Sequence, residues 1–187
     1  PAMERVGAPR ETAPPRPEFH DFGIADLPPP DEALASRTLR SLEIVAFDTE
    51  TTGLELRRGD TVISLGACRV VNARLLASEV FDQKVDPQRP IPPASTAIHG
   101  LTDADVIGAP PLDIVLTRFR DYVGEAVLLA HNAAFDLLAI SHKGVVFDIP
   151  VIDTLLISRA LDEALAGHDL DSLAQRYDLA FPPGTLH

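Results

Sequence analysis

An apolar run that stops at two carboxylates constrains this chain more than any other stretch. Leu42 to Phe47 is apolar apart from Glu43 and rich in strand-favouring residues, which predicts a strand buried on both faces in the middle of a sheet. Asp48 stands at its C-terminal end and Glu50 follows at i+2. If the backbone stays extended for two more residues, the period of a strand turns both carboxylates to one side. Two like charges at the rim of a core repel each other, and a divalent cation relieves them; hard oxygen donors suit Mg²⁺ or Mn²⁺. Thr51, Thr52 and Gly53 then make a turn. The motif alone leaves a second reading open, in which D-T-E-T-T-G is a polar turn that ends a strand.

Downstream, Thr61 to Val71 and Leu75 to Val85 read as strands separated by Asn72-Ala73-Arg74, and with the first they form a meander. Pro87 to Pro93 holds four prolines in seven residues and is a loop. Short helical pieces are expected over Ala94 to Gly100 and Thr102 to Ile107. Pro110 opens an amphipathic helix to about Val123, with Ile114, Val115, Phe119 and Tyr122 as its apolar stripe. Ala126 to Ala130 is a short buried strand that ends on His131-Asn132. A helix from Ala133 to Lys143, stopped by Gly144, comes next. Asp136 falls in its first turn, where the helix dipole by itself favours a carboxylate. Val151 to Asp153 is a last strand, Thr154 to Leu165 a helix, and Asp169 caps a final helix through Tyr177. Three strands followed by strands alternating with helices give an α/β fold, a mixed sheet flanked by helices, with the Asp48 and His131-Asn132 strand ends meeting at one edge.

Residues 1–37 are proline-rich, with Pro14-Pro15, Pro17 and Pro28-Pro29-Pro30, and read as a linker or arm with at most a helical turn around Asp31 to Thr38. Residues 38–187 are enough for one well-cored domain. The apolar runs fall well short of the roughly 20 residues of a membrane helix, and the N-terminus lacks a signal-peptide plan. A cytoplasmic protein with no membrane partner is expected. Cys68 is the sole cysteine, which excludes a disulfide framework or cysteine-based zinc site within the chain and marks it as a core residue. A net charge of −12 argues against a broad basic surface that grips duplex DNA. Cations bound at clustered carboxylates reverse the field locally, so one cleft can still take a phosphate at a strand end.

Four blocks carry a resemblance: Val45 to Leu54 (V-A-F-D-T-E-T-T-G-L), Ile98 to Asp103 (I-H-G-L-T-D), Leu129 to Asp136 (L-A-H-N-A-A-F-D) and Val151 to Arg159 (V-I-D-T-L-L-I-S-R). In order and spacing they resemble the DnaQ-like (DEDDh) 3′–5′ exonucleases, the group that includes the proofreading epsilon subunit of the bacterial replicative polymerase. The resemblance covers roughly residues 42–187. It implies a ribonuclease H-like fold with a mixed five-stranded sheet, four acids that hold two divalent metal ions, Mg or Mn, and a histidine as general base. Carried over, Asp48 and Glu50 are the first two acids and Asp136 the third. The closing H-x-x-x-x-D segment would place its histidine at His187, which read on its own is a chain-end residue. The fourth acid is absent, so 38–187 is expected to be an exonuclease domain lacking its C-terminal helix. The resemblance also implies that Thr51, Thr52, Gly53 and Leu54 line the pocket of the terminal nucleotide, that Asn132 and Phe135 flank it, and that His99 lies nearby. Amides and hydroxyls of T-T-G can bond a phosphate or 3′ hydroxyl, whereas Leu54 and Phe135 by themselves are better read as core residues. His142 and His168 are expected at the surface.

The function so implied is a metal-dependent 3′–5′ exonuclease that releases nucleoside 5′-monophosphates from single-stranded DNA by two-metal-ion hydrolysis, for proofreading or repair, with a polymerase or fused domain as partner. An RNA exonuclease of the same fold is one alternative. A non-catalytic module that binds strand ends or a protein, lacking the last metal ligand, is another.

Overall fold

Alternating burial begins at Glu43 and continues through Thr51, and this strand, β1 (Glu43–Thr51), anchors the sheet. The computed structural model describes residues 30–179 except 142–144, 146, 163 and 165; the expectations placed on His142, Gly144, His187 and most of the proline-rich arm lie outside these residues. The other strands are β2 (Val62–Val71), β3 (Arg74–Lys84), β4 (Val127–Ala130) and β5 (Val151–Asp153). Their order is β3-β2-β1-β4-β5. The first three pair antiparallel, while β4 runs parallel to β1 and β5 parallel to β4. The expected mixed five-stranded sheet is therefore present.

β1 is central, but it is not buried on both faces. Val45, Phe47, Thr49 and Thr51 are buried, whereas Ile44, Ala46 and Glu50 are half-buried and Asp48 is exposed. Val45 and Phe47 pack into the main core, and the other face is only partly covered. The β2–β3 connection is tighter than expected. Asn72 and Ala73, at φ 53° and 58°, make a two-residue turn whose left-handed backbone matches the twist of the flanking strands. Arg74 then pairs with Val71 and belongs to the strand.

The helices are α1 (Glu32–Ala35), α2 (Pro93–His99), α3 (Leu112–Val123), α4 (Ala133–Ile140), α5 (Thr154–Leu161) and α6 (Leu170–Arg176). α1 is a single turn capped by Asp31, whose carboxylate accepts the Leu34 amide at 2.7 Å. The buried stripe of α3 is Leu112, Val115, Leu116, Phe119 and Val123. Ile114 is 43% exposed and Tyr122 only half-buried, so the expected stripe has its phase shifted. The two prolines before the helix start it at Leu112, and a 3.6-residue period from there carries Ile114 outward.

Two helices end sooner than expected. α4 stops at Ile140, where Ser141 leaves helical geometry and turns its hydroxyl back to the Leu137 carbonyl at 2.7 Å, a local bond that competes with helix propagation. α5 stops at Leu161, because Asp162 is drawn away to Arg176 of α6 at 3.1 Å.

Phe119 is the centre of the main core. It is fully buried, and its ring lies 5.5 Å from Phe47, 5.4 Å from Phe81 and 5.5 Å from Phe147. A register shift at Glu50/Thr51 lets Val62 enter this core while Ile63 joins a smaller cluster with Ile91 and Val106. That second cluster seats the 87–93 loop and the 3₁₀ turn Asp103–Val106 beside the end of β1. Cys68 is only half-buried, and burial pushes its thiol pKa up, so it stays protonated. No helix among the described residues is long and apolar enough to cross a membrane.

Phe119→Ala should cost about 3–5 kcal/mol, as large-to-small changes at buried aromatics do. Ile114→Ala, on the outward face, should stay within about 0.5 kcal/mol. Urea unfolding of the two variants checks the phase of α3; comparable losses would contradict it.

Candidate active site

β1 outruns its parallel neighbour. β4 pairs only with Ile44 to Ala46, yet β1 stays extended to Thr51, so its last residues have no strand on that side. The extension satisfies the condition set by the sequence: Asp48 and Glu50 lie on one face and Thr49 on the other. Ala46 is level with Leu129, which brings His131, two residues on, level with Asp48.

Asp136, in the first turn of α4, fills the bare edge. Its Oδ1 accepts the Thr49 amide at 3.0 Å and the Thr49 hydroxyl at 2.5 Å. The residue is 1% exposed. Helix-dipole stabilisation does not account for so deep a carboxylate, since burying a charge is costly unless donors meet it. The charge-assisted bonds from Thr49 supply them. The third expected acid is thus brought to the residue between the first two.

The β4–α4 turn is held from β5. Asp153, 8% exposed, accepts the amides of Asn132 at 3.1 Å, Ala133 at 2.9 Å, Leu155 at 2.8 Å and Leu156 at 3.4 Å. One carboxylate therefore caps α5 and braces the turn where Asn132 adopts a left-handed backbone, φ 61°. The sequence signal for this was the Asp-Thr pair at a strand–helix junction, an N-cap pattern. His131 is the residue that sequence reasoning left without a role. It is half-buried, with Nδ1 2.9 Å from the Thr154 hydroxyl oxygen. Burial holds its pKa below the usual value against the pull of Asp153, Asp169 and Asp48. Its ring is held against Thr154 of α5, with Asp153, Asp169 and Asp48 as the acids that act on it.

The T-T-G turn is braced from within. Thr51 and Thr52 are buried, and the Thr51 hydroxyl donates to the Gly53 carbonyl at 2.7 Å. Ser95 of α2 donates to the Thr52 carbonyl at 2.6 Å. His99 lies one helical turn further along the same face of α2 as Ser95. It is 5% exposed, and its Nδ1 accepts the Leu101 amide at 3.0 Å, which leaves the proton of a neutral ring on Nε2. Leu54 is 43% exposed, unlike a core residue, whereas Phe135 is 4% exposed. His168 is half-buried against the Ser158 hydroxyl at 2.9 Å rather than at the surface.

Among the described residues, no three or more His, Cys, Asp or Glu side chains converge at metal-binding spacing. The donor chemistry nevertheless fits a hard divalent cation: Asp48 and Glu50 offer carboxylate oxygens on one face of β1, and Asp136 stands against the residue between them.

The exonuclease family model RNase_T matches residues 45–187. Over 161 residues, 84% of the chain, the sequence is 47% identical to a DNA polymerase III subunit epsilon-like protein of Rhodobacter capsulatus, of which that match spans 23%. Over 152 residues, 78% of the chain, it is 38% identical to a DNA polymerase III of PolC type from Latilactobacillus sakei, spanning 10% of that protein. The chain therefore corresponds to less than a quarter of either relative. Among solved structures, exonuclease X in complex with 5′ overhanging duplex DNA superposes with a TM-score of 0.61 at 28% identity, covering 77% of this chain and 79% of that one. The architecture is the ribonuclease H-like fold.

Asp136→Ala should cost about 1–3 kcal/mol, because it strands the buried Thr49 donors. Asp136→Asn keeps an Oδ1 acceptor and should cost less. Chemical denaturation of both, in the absence of metal, is the measurement.

The His131 pKa is lowered in the folded state, so protonation favours the unfolded chain. Its contribution to stability is complete above the unfolded value near 6.5 and shrinks as pH falls below it. His131→Gln should flatten that part of the stability–pH curve between about pH 7 and 5, and NMR titration of the ring should give a midpoint below the unfolded one.

Proposed function

Because the chain belongs to the RNase_T exonuclease family, we propose that it is a metal-dependent exonuclease that releases nucleoside 5′-monophosphates from the 3′ end of single-stranded DNA. The observation that carries this reading is the pair Asp48 and Glu50 on one face of β1, with Asp136 hydrogen-bonded to Thr49, the residue between them. The 3′ polarity is supported by the likeness to an epsilon-like protein and to an exonuclease held on a duplex with a 5′ overhang, whose 3′ end is recessed.

Asp48, Glu50 and Asp136 would hold the divalent ions, Mg or Mn. When bound, such ions lower the pKa of water and neutralise charge at the leaving 3′ oxygen. The chain's own residues do the rest. His187 takes the proton of the attacking water as general base. The Thr51–Leu54 turn would receive the terminal nucleotide, with exposed Leu54 against the base, and the family resemblance adds Asn132, Phe135 and His99 as neighbours of that pocket. The protein would act in the cytoplasm, with residues 1–37 as a linker or arm and 38–187 as the exonuclease domain, and with a polymerase or fused domain as its partner, as the names of the relatives suggest.

A second reading, a non-catalytic module that binds strand ends, is supported by Asp136, whose Oδ1 is engaged by the Thr49 amide and hydroxyl in a bracing contact. Digestion of 3′-labelled and 5′-labelled DNA and RNA oligonucleotides by the full-length protein, with and without Mn²⁺, separates the readings. Binding without cleavage would favour the module, and a preference for RNA would move the substrate to the other sugar.

Asp48→Ala and Glu50→Ala should each abolish mononucleotide release. Their thermal midpoints without metal should be unchanged or higher, since losing either acid relieves repulsion between them. A folded variant with wild-type turnover would remove that residue from the site.

A further inference from the structure

Asp60 lies outside every block that carries the family likeness, in the segment just before β2, yet several contacts converge on its carboxylate. Oδ1 accepts the Thr52 hydroxyl at 3.1 Å and meets the Arg89 guanidinium at 3.2 Å. Oδ2 accepts the Glu55 amide at 2.9 Å. The two oxygens therefore clamp the chain on either side of Gly53-Leu54. The side chain is 15% exposed, where charge-assisted bonds of this kind are stronger than neutral ones. Arg89 is 40% exposed, so its ion pair adds less.

The rest of Thr52 is also turned inward. Its amide donates to the Thr61 carbonyl at 2.9 Å, its Oγ1 accepts the Thr61 amide at 3.1 Å, and its carbonyl takes Ser95. Leu54 is left as the outward side chain of the turn, 43% exposed. Gly53 completes the fit. A Cβ at Gly53 would lie 2.3 Å from Asp60 Oδ2, although the Gly53 φ lies outside the left-handed region. The backbone would accept alanine there; the carboxylate would not.

We propose that Asp60 is the positioning residue that shapes the Thr51–Leu54 turn to receive the strand terminus, and that Gly53 lacks a side chain to make room for the Asp60 carboxylate. This rests on the reading of that turn as the pocket of the terminal nucleotide. Asp60 acts on binding through the turn and touches no reacting atom. Its loss therefore raises KM more than it lowers kcat.

The test uses full-length protein carrying Asp60→Ala, Asp60→Asn, Gly53→Ala, or Gly53→Ala with Asp60→Ala. Steady-state cleavage of a single-stranded oligothymidylate with Mn²⁺ is read beside amide hydrogen exchange across residues 52–61. Asp60→Ala should raise KM about tenfold with kcat within about threefold. Asp60→Asn, which keeps one acceptor, should fall between it and wild type. Gly53→Ala should match Asp60→Ala, and the double variant should be no worse than either, because one contact is being removed twice. The Glu55 and Thr61 amides should exchange faster in the same variants. An unchanged KM, a fall in kcat alone with a lower melting point, or additive losses in the double variant would each overturn the proposal. If the wild-type protein neither binds nor cleaves the oligonucleotide, the nucleotide-pocket reading fails and with it the part assigned to strand binding; exchange then decides the rest. Protection lost equally in the Asp60 and Gly53 variants supports a turn shaped by Asp60, and unaltered exchange overturns it.

Discussion

A strand that extends past its neighbour leaves amides without partners, and in this fold one such amide, that of Thr49, is met by a carboxylate from a helix. Asp136 accepts both the Thr49 amide and its hydroxyl. A buried backbone donor must be satisfied, and a buried carboxylate must be given donors; each requirement answers the other. The bond fixes the first turn of α4 against the end of β1, which is where Asp48 and Glu50 project from the opposite face. Without the early end of β4 at Ala130 there would be a strand where the carboxylate now sits.

The same device recurs around the site. Asp153 collects four amides from the β4–α4 turn and the start of α5, and Asp60 clamps the turn after β1. In a chain of net charge −12, the acids near the end of β1 thus divide into two groups. Asp136, Asp153 and Asp60 are turned inward on amides and hydroxyls and hold the backbone in place. Asp48 is exposed and Glu50 half-buried on the face that the core leaves open. The inward group fixes the backbone around the strand end from which the outward pair projects.

The strand period made Asp48 and Glu50 legible before any coordinates, because alternation depends only on the backbone. The order of strands and helices was legible for the same reason. Asp136 was ambiguous, since a carboxylate in a first helical turn has a local explanation; its partner Thr49 is remote in sequence, and no local pattern announces it. The surroundings of His131 and Asp60 were hidden likewise, since their partners Thr154 and Thr52 are brought to them by the fold. Helix ends were misplaced where the deciding bond was tertiary, as for Asp162 drawn to Arg176, or a side-chain bond the period does not encode, as for Ser141. The α3 stripe was misread because the start of the helix at Leu112, set by the prolines before it, fixes which residues turn inward.

The meander of β1, β2 and β3 is contiguous in sequence and joined by a ten-residue connection and a two-residue turn, whereas the Thr49–Asp136 bond joins residues 87 apart. Closing a large loop costs entropy before any contact rewards it. The antiparallel half of the sheet can therefore organise early, as a local unit, and the parallel half must wait for β4 to return to β1. During that interval Asp48 and Glu50 are already on their strand, but the third carboxylate is still in an unfolded segment. Docking of Asp136 on Thr49 would thus come late in folding, and a chain caught partway through its synthesis would hold β1 to β3 together before α4 is fixed against them.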